Sequence, residues 1–143
     1  VEAALDASGV SGERLGFEIA ENALVSQRSA VVGLMDRLRP RGCRFILDNC
    51  GGGSVVFSEL RYLPVDYIKV RDRLIRDSGT DPVAARVLTA VVEVAQLLGR
   101  RVVALGVEDA RTLERLRTLG FDACQGFHLG RPRPLATLLA QKR

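Results

Sequence analysis

The most constraining feature of this sequence is a regular alternation of short apolar runs with helix-length segments. The apolar runs predict β-strands at 15–19, 43–47, 65–70, 101–105 and about 122–125. No hairpin signal joins one run to the next. Since parallel strands are joined by helical crossovers, this order predicts an α/β fold with a parallel sheet.

The helical segments carry their own start and stop signals. Asp81 followed by Pro82 is typical of an N-cap and first helical turn, and Gly99 is placed to end that helix. Further helices are predicted before Pro40, at 57–63, from Asp109 to Gly120 and at 135–140.

The composition indicates one folded domain over residues 1–143. The chain is 47% hydrophobic and 27% charged, which argues against disorder. No apolar run approaches the roughly 20 residues needed to span a bilayer, so we expect a cytoplasmic segment without membrane insertion. The formal charge of +4 comes from arginines spread over many segments, which favours solvated helix faces over a nucleic-acid surface.

The three cysteines exclude two common structural devices. Cys43, Cys50 and Cys124 are odd in number and lack metal-knuckle spacing, so neither a disulfide framework nor a zinc site is indicated. A reducing compartment is consistent with this usage.

Polar side chains follow or end each predicted strand. They are Glu18, Glu21, Asp48, Asn49, Lys69, Arg71, Glu108 and Gln125. Because the carboxyl ends of parallel strands meet at one edge of a sheet, these residues predict a converging site. Glu18 and Asp48 offer hard oxygen ligands suited to Mg²⁺, Mn²⁺ or Ca²⁺, and a nearby lysine suits phosphate chemistry. These residues alone do not distinguish a phosphate substrate from a sugar or carboxylate substrate.

Two further features have simpler interpretations. The glycines at 51–53 can cradle phosphate or form a flexible turn, and the stretch matches neither GxGxxG nor GxxxxGK[ST]. His128 is the only histidine, and without a partner it is expected to be a loop residue rather than a base.

The segments FEIAEN, FILDNCGGGSVVFSELRYLPVDYIKV, VVALGVED and CQGFHLGRPRP together resemble the EAL family of cyclic-di-GMP phosphodiesterases. The resemblance implies a modified (β/α)8 barrel of the TIM type, with two Mg²⁺ or Mn²⁺ ions that hydrolyse cyclic-di-GMP. A full barrel needs about 250 residues, so we expect one partial domain from about the third strand onward. The strand with the Glu-Ala-Leu signature and the next, with a metal-binding asparagine, are expected to be missing from this chain, and they either lie upstream in the native protein or are absent.

Some family positions are retained. By resemblance, Glu18 and Asp48 are metal ligands, and Asp48 is the first aspartate of the DDFGTG motif. Lys69 matches the lysine of the KID motif and Gln125 the glutamine of the QG motif, both at the catalytic site. Glu21 matches the glutamate that steadies the loop after the aspartate pair, and Glu108 matches the final glutamate of the AEGVE motif. Glu21 and Glu108 are therefore expected to stabilise loops.

Other family positions are substituted. Asn49 replaces the second aspartate of DDFGTG, and Cys50 and Gly52 replace its Phe and Thr. Arg71 replaces the aspartate of KID, and Leu105 replaces the first glutamate of AEGVE. The second metal has therefore lost two anionic ligands and gained a neighbouring cation, which repels it.

This pattern predicts a degenerate, catalytically inactive domain that serves as a nucleotide sensor or protein interaction module. Asn49, Arg71 and Gln125 are then candidates to hold cyclic-di-GMP. One alternative is an active phosphodiesterase completed by upstream segments, and another is a partner-binding module without nucleotide affinity. Open strand edges of a partial barrel also predict a homodimer or a protein partner.

Overall fold

The computed structural model describes residues 1–51 and 60–140, with side chains up to residue 137. Its sheet has the order β1-β2-β3-β4-β5, and every neighbouring pair is parallel. The strands are β1 Gly16–Ala20, β2 Arg44–Cys50, β3 Tyr67–Val70, β4 Arg101–Ala104 and β5 Ala123–Cys124. The predicted parallel α/β fold is confirmed.

Helices precede, connect and follow these strands. They are α1 Glu2–Ser8, α2 Glu21–Ser26, α3 Arg28–Leu38, α4 Asp72–Asp77, α5 Pro82–Leu97, α6 Ala110–Thr118 and α7 Leu135–Ala140, with 3₁₀ turns at Gly12–Arg14 and Arg39–Arg41. The predicted N-caps are confirmed, since Asp81 accepts from the Val83 amide at 2.8 Å and Asp109 from the Thr112 amide at 2.7 Å. None of the described helices is long and apolar enough to cross a membrane.

The two faces of the sheet differ in burial. Alternate residues of β2 to β4 point to the helix side and belong to one buried core: Phe45, Leu47, Ile68, Val70, Val102 and Ala104. Leu88 of α5, Met35 of α3 and Leu116 of α6 also belong to this core. The opposite face is only partly covered, and it carries Glu18, Asp48 and Lys69.

Strand β2 runs three residues further than predicted and contains an irregularity. Leu47 pairs with Ile68 but Cys50 pairs with Val70, so β2 uses one residue more than β3 over the same length. Within this bulge Asn49 adopts φ 60°, a left-handed conformation that asparagine tolerates better than most residues. The predicted strand end at residue 47 was therefore too early, and Asp48 and Asn49 belong to the strand.

Other boundaries also differ from the sequence-based expectation. The single helical pattern between β1 and β2 is divided at Gln27, where φ is −137°, into α2 and α3. Helices α1 and α4 were not predicted. The glycines at 52–53 and residues 57–59 of the helix predicted at 57–63 lie outside the described residues, and residues 60–63 end in a turn.

Candidate functional site

A cleft of about 340 Å³ lies at the carboxyl ends of the strands. Its described lining consists of Asn49, Asp72, Leu105, Gly106, Glu108, Gln125, Gly126 and Phe127. Four of the residues predicted from the sequence therefore converge in one place. They are Asn49, Leu105, Glu108 and Gln125.

Two glycines allow the loop after β4 to lie close to the start of α4 and to the loop after β5. Gly106 has φ 71°, and a Cβ there would lie 2.6 Å from the Cβ of Asp72. A Cβ on Gly126 would lie 2.1 Å from the carbonyl oxygen of Val107. The Val107 amide donates to the Gln125 carbonyl at 3.1 Å, which joins the two loops. Any side chain at either glycine would push the cleft walls apart.

Asp48 and Asn49 are hydrogen-bonded to each other at the end of β2. The Asn49 side-chain amide Nδ2 donates to the Asp48 carboxylate oxygen Oδ2 at 3.1 Å. Asp48 is half-buried and Asn49 is exposed. One carboxylate and one neutral amide thus stand where the resemblance implies two carboxylates.

Lys69 and Glu18 form an ion pair on the less covered face of the sheet. Lys69 Nζ donates to Glu18 Oε1. The Lys69 side chain is 15% exposed and that of Glu18 is 50% exposed. Both residues lie inside their strands rather than at the strand ends expected from the sequence. The lysine charge is already balanced by a carboxylate that the resemblance assigns to a metal.

Glu21 and Arg71 flank the end of β2. Glu21 is the buried first residue of α2. Burial, and then the charge of Glu21, raises the pKa of the Cys50 thiol to about 11. The backbone amide of Arg71 donates to the Cys50 carbonyl at 3.1 Å, and Arg71 is the N-cap residue of α4. Arg71 is not among the described residues that line the cleft.

Apart from glycines, two residues that line the cleft were not predicted from the sequence, Asp72 and Phe127. Asp72 opens α4, and its carboxylate accepts from the Arg73 amide at 2.7 Å and from Arg76 Nη1 at 2.8 Å. Phe127 is 56% exposed, and the Arg131 guanidinium lies 4.9 Å from its ring centroid. The only sequence signal for Asp72 is that an acidic residue is favourable at the start of a helix. It directly follows Arg71, the position that matches the aspartate of the KID motif.

The donor set does not fit a two-ion centre by itself. Within residues 1–51 and 60–140, no group of three or more His, Cys, Asp or Glu side chains is placed to hold one ion. The carboxylates of Glu18 and Asp48 already engage Lys69 and Asn49. Each contact occupies one carboxylate oxygen, so a metal ion would share these carboxylates with Lys69 and Asn49 or displace them.

Comparison with known proteins shows the family of this chain. The family model described as the EAL domain matches residues 1–132, and the chain belongs to this family. The Shewanella oneidensis protein named cyclic di-GMP phosphodiesterase PdeB is 32% identical over 125 residues, covering 87% of this chain and 15% of that protein.

Solved structures of the family share the fold. The PaMucR phosphodiesterase in its c-di-GMP complex superimposes with a TM-score of 0.89 at 29% identity, over 96% of this chain and 56% of that one. Klebsiella pneumoniae BlrP1 in a manganese and cy-diGMP complex gives a TM-score of 0.83 at 28% identity, over 91% of this chain and 33% of that one. The five parallel strands form part of a TIM-type barrel, and the chain spans only a fraction of these proteins' lengths.

Proposed function

We propose that residues 1–143 are a single partial EAL domain that keeps the outline of a cyclic-di-GMP site but does not hydrolyse the nucleotide. It would act as a nucleotide sensor or a protein interaction module in cytoplasmic signalling. The observation that carries this proposal is the hydrogen bond from Asn49 to Asp48. The relative PdeB and the PaMucR complex supply the ligand class.

The Asn49 contact argues against a second metal ion. An amide oxygen offers a neutral ligand, whereas a carboxylate offers a charged one that Mg²⁺ and Mn²⁺ prefer. Here the amide nitrogen of Asn49 also satisfies one oxygen of Asp48 at 3.1 Å. An ion bridging this position would have to compete with that contact.

Arg71 and Leu105 also argue against a second metal ion and against hydrolysis. A guanidinium stays charged at any working pH, so Arg71 disfavours a nearby cation permanently. Leu105 lines the cleft where the resemblance implies a glutamate, and it can neither ligate a metal nor move a proton. Neither side chain supports a metal-dependent hydrolytic step.

Polar groups at and near the cleft support binding without turnover. Asn49, Glu108 and Gln125 line the cleft and provide donors and acceptors for a ligand. Arg71 follows β3 next to Cys50 and carries a positive charge that suits a phosphate. The edge strands β1 and β5 leave room for a second copy of the chain or another protein.

The hydrolysis assay that tests this proposal uses the native protein that contains this chain. It is incubated with cyclic-di-GMP and Mn²⁺ or Mg²⁺, and the linear dinucleotide is quantified by chromatography. We expect no product above the background of the protein-free reaction. Rapid turnover would instead support an active phosphodiesterase completed by other segments.

Calorimetry separates the two non-catalytic roles. A sensor should bind cyclic-di-GMP with saturable heat, and Arg71→Ala should weaken that binding by about tenfold. Arg73→Ala removes the same charge from a side chain that is 78% exposed and already paired with Asp77, so it is the matched control. If the native protein gave no heat on titration with cyclic-di-GMP, the result would favour the protein interaction module over the nucleotide sensor.

A further inference from the structure

A second cavity lies between the end of α4 and the start of α6, apart from the cleft. Its volume is about 460 Å³. It is lined by Arg76, Gly79, Thr80, Asp109, Arg111, Thr112 and Arg115, and we call it the basic cavity. Three guanidinium groups face one carboxylate, so the lining carries a surplus of positive charge.

The single carboxylate of the basic cavity is already engaged. Asp109 accepts from the Thr112 amide at 2.7 Å and from the Thr112 hydroxyl at 2.8 Å. It therefore caps α6 and occupies the amide groups that the helix start would otherwise offer. Recognition of a ligand here would rest on the arginines and not on the helix terminus.

The three arginines are not equally engaged. Arg76 Nη1 donates to Asp72 at 2.8 Å, which balances its charge. Arg111 is exposed and makes no ion pair with any residue in the described ranges. Arg115 Nη2 donates to the Ile75 carbonyl at 2.9 Å, a neutral acceptor that leaves its charge unbalanced.

The other terminal nitrogen of Arg115 is an unusual donor. Arg115 Nη1 is enclosed and has no hydrogen-bond acceptor among the described residues. A buried N–H group without an acceptor is unfavourable, and such groups are rare in folded proteins. A Cβ on Gly79 would lie 3.4 Å from this nitrogen, so the absence of a side chain at Gly79 leaves space beside it.

We propose that the basic cavity binds a small oxyanion of the phosphate class, either free phosphate or the phosphate group of a small phosphorylated molecule. Arg111 and Arg115 supply the positive charge, and the anion supplies the acceptor that Arg115 Nη1 lacks. Arg76 also lines this cavity while its partner Asp72 lines the cleft. The ion pair between them connects the two sites.

Phosphate titration followed by amide chemical shifts tests this assignment. Inorganic phosphate and, separately, ribose 5-phosphate are added to the full chain at constant ionic strength, with chloride as the reference anion. We expect saturable shifts centred on Gly79, Thr80 and Thr112 with both phosphate compounds and none with chloride. Saturation by ribose 5-phosphate but not by inorganic phosphate would overturn recognition of the phosphate group itself.

Matched variants separate a built site from general charge attraction. Arg111→Gln and Arg115→Gln should each weaken phosphate binding by about tenfold. Arg73→Gln removes a charge from α4 outside the basic cavity and should change the affinity by less than about twofold. Because Arg111 is exposed, its variant should stay folded and test the site even if Arg115→Gln perturbs folding. Equal weakening by Arg73→Gln and Arg111→Gln, or shifts that never saturate, would refute the proposal.

Discussion

Asn49 donates its side-chain amide to the Asp48 carboxylate across 3.1 Å, from a backbone conformation with φ 60°. The bulge in β2 creates this conformation by placing one more residue on β2 than on β3. A neutral donor thus holds a carboxylate that would otherwise face a second carboxylate or a metal ion. The contact gives the end of β2 a defined geometry without an ion.

Asn49→Asp should make the stability of the domain depend on divalent ions. Without metal, two adjacent carboxylates repel and the hydrogen bond is lost, which should lower the free energy of unfolding by about 1 kcal/mol. Mn²⁺ should restore part of that loss in Asn49→Asp and should stabilise the native chain only slightly. Urea unfolding with and without Mn²⁺ measures both effects. Asn49→Gly, which keeps the left-handed conformation and adds no charge, should show no Mn²⁺ response.

Gly126→Ala should destabilise the domain strongly because the loops after β4 and β5 touch at this point. The added Cβ would lie 2.1 Å from the Val107 oxygen and 2.3 Å from its nitrogen, both backbone atoms. We expect a loss of about 3 kcal/mol in the free energy of unfolding. Gly130→Ala is the control, since a Cβ there meets nothing within 4 Å. Similar unfolding midpoints for the two variants would contradict the close contact of the loops.

Cys50 should make the domain less stable in alkaline solution. Its pKa is raised from 9.0 to about 11 because the thiol is buried and Glu21 lies nearby. Between these values the unfolded chain releases the thiol proton while the folded chain keeps it, so stability falls as pH rises. Below about pH 9 the thiol contributes no pH dependence in either state.

Measuring the unfolding free energies of the native chain and of Cys50→Ala over this pH range tests whether the thiol lowers stability as pH rises. The native chain should lose more stability than the variant between about pH 9 and about pH 11. Parallel curves would show that the thiol ionises alike in both states. The same burial predicts slow alkylation of Cys50, which is 2% exposed, relative to the half-buried Cys124.

The ion pair of Glu18 and Lys69 should contribute modestly to stability. Lys69 is 15% exposed and Glu18 is 50% exposed, so solvent screens the pair on one side. A double-mutant cycle with Glu18→Gln and Lys69→Met should give a coupling of about 0.5–1 kcal/mol that decreases at high salt. Zero coupling at low salt would mean that the two charges do not interact in solution.

The parallel arrangement could be predicted because it depends on the order of apolar runs, and that order is explicit in the sequence. The end of β2 could not, because Asp48 and Asn49 read as a polar loop while the bulge keeps them in the strand. Helix α4 has six residues, which is too short for a periodic pattern to appear. Its acid Asp72 was therefore passed over, although it lines the cleft.

The meeting of the cleft residues could be predicted from the order of the strands, whereas the side-chain contacts of Glu18 and Asp48 could not. Asn49, Leu105, Glu108 and Gln125 meet because parallel strands end on one edge. The partners of Glu18 and Asp48 depend on side-chain directions across three strands and on the local bulge. No spacing in the sequence encodes them, since Lys69 and Glu18 are far apart along the chain.

The number of Mn²⁺ ions bound by the native protein in the presence of cyclic-di-GMP tests the central claim most directly. Electron paramagnetic resonance during a Mn²⁺ titration reports both the number of bound ions and any magnetic coupling between them. Because Asn49 and Arg71 stand where two anionic ligands are implied, we predict at most one weakly held, uncoupled ion per chain. Two tightly bound, exchange-coupled ions would contradict the loss of the second metal position.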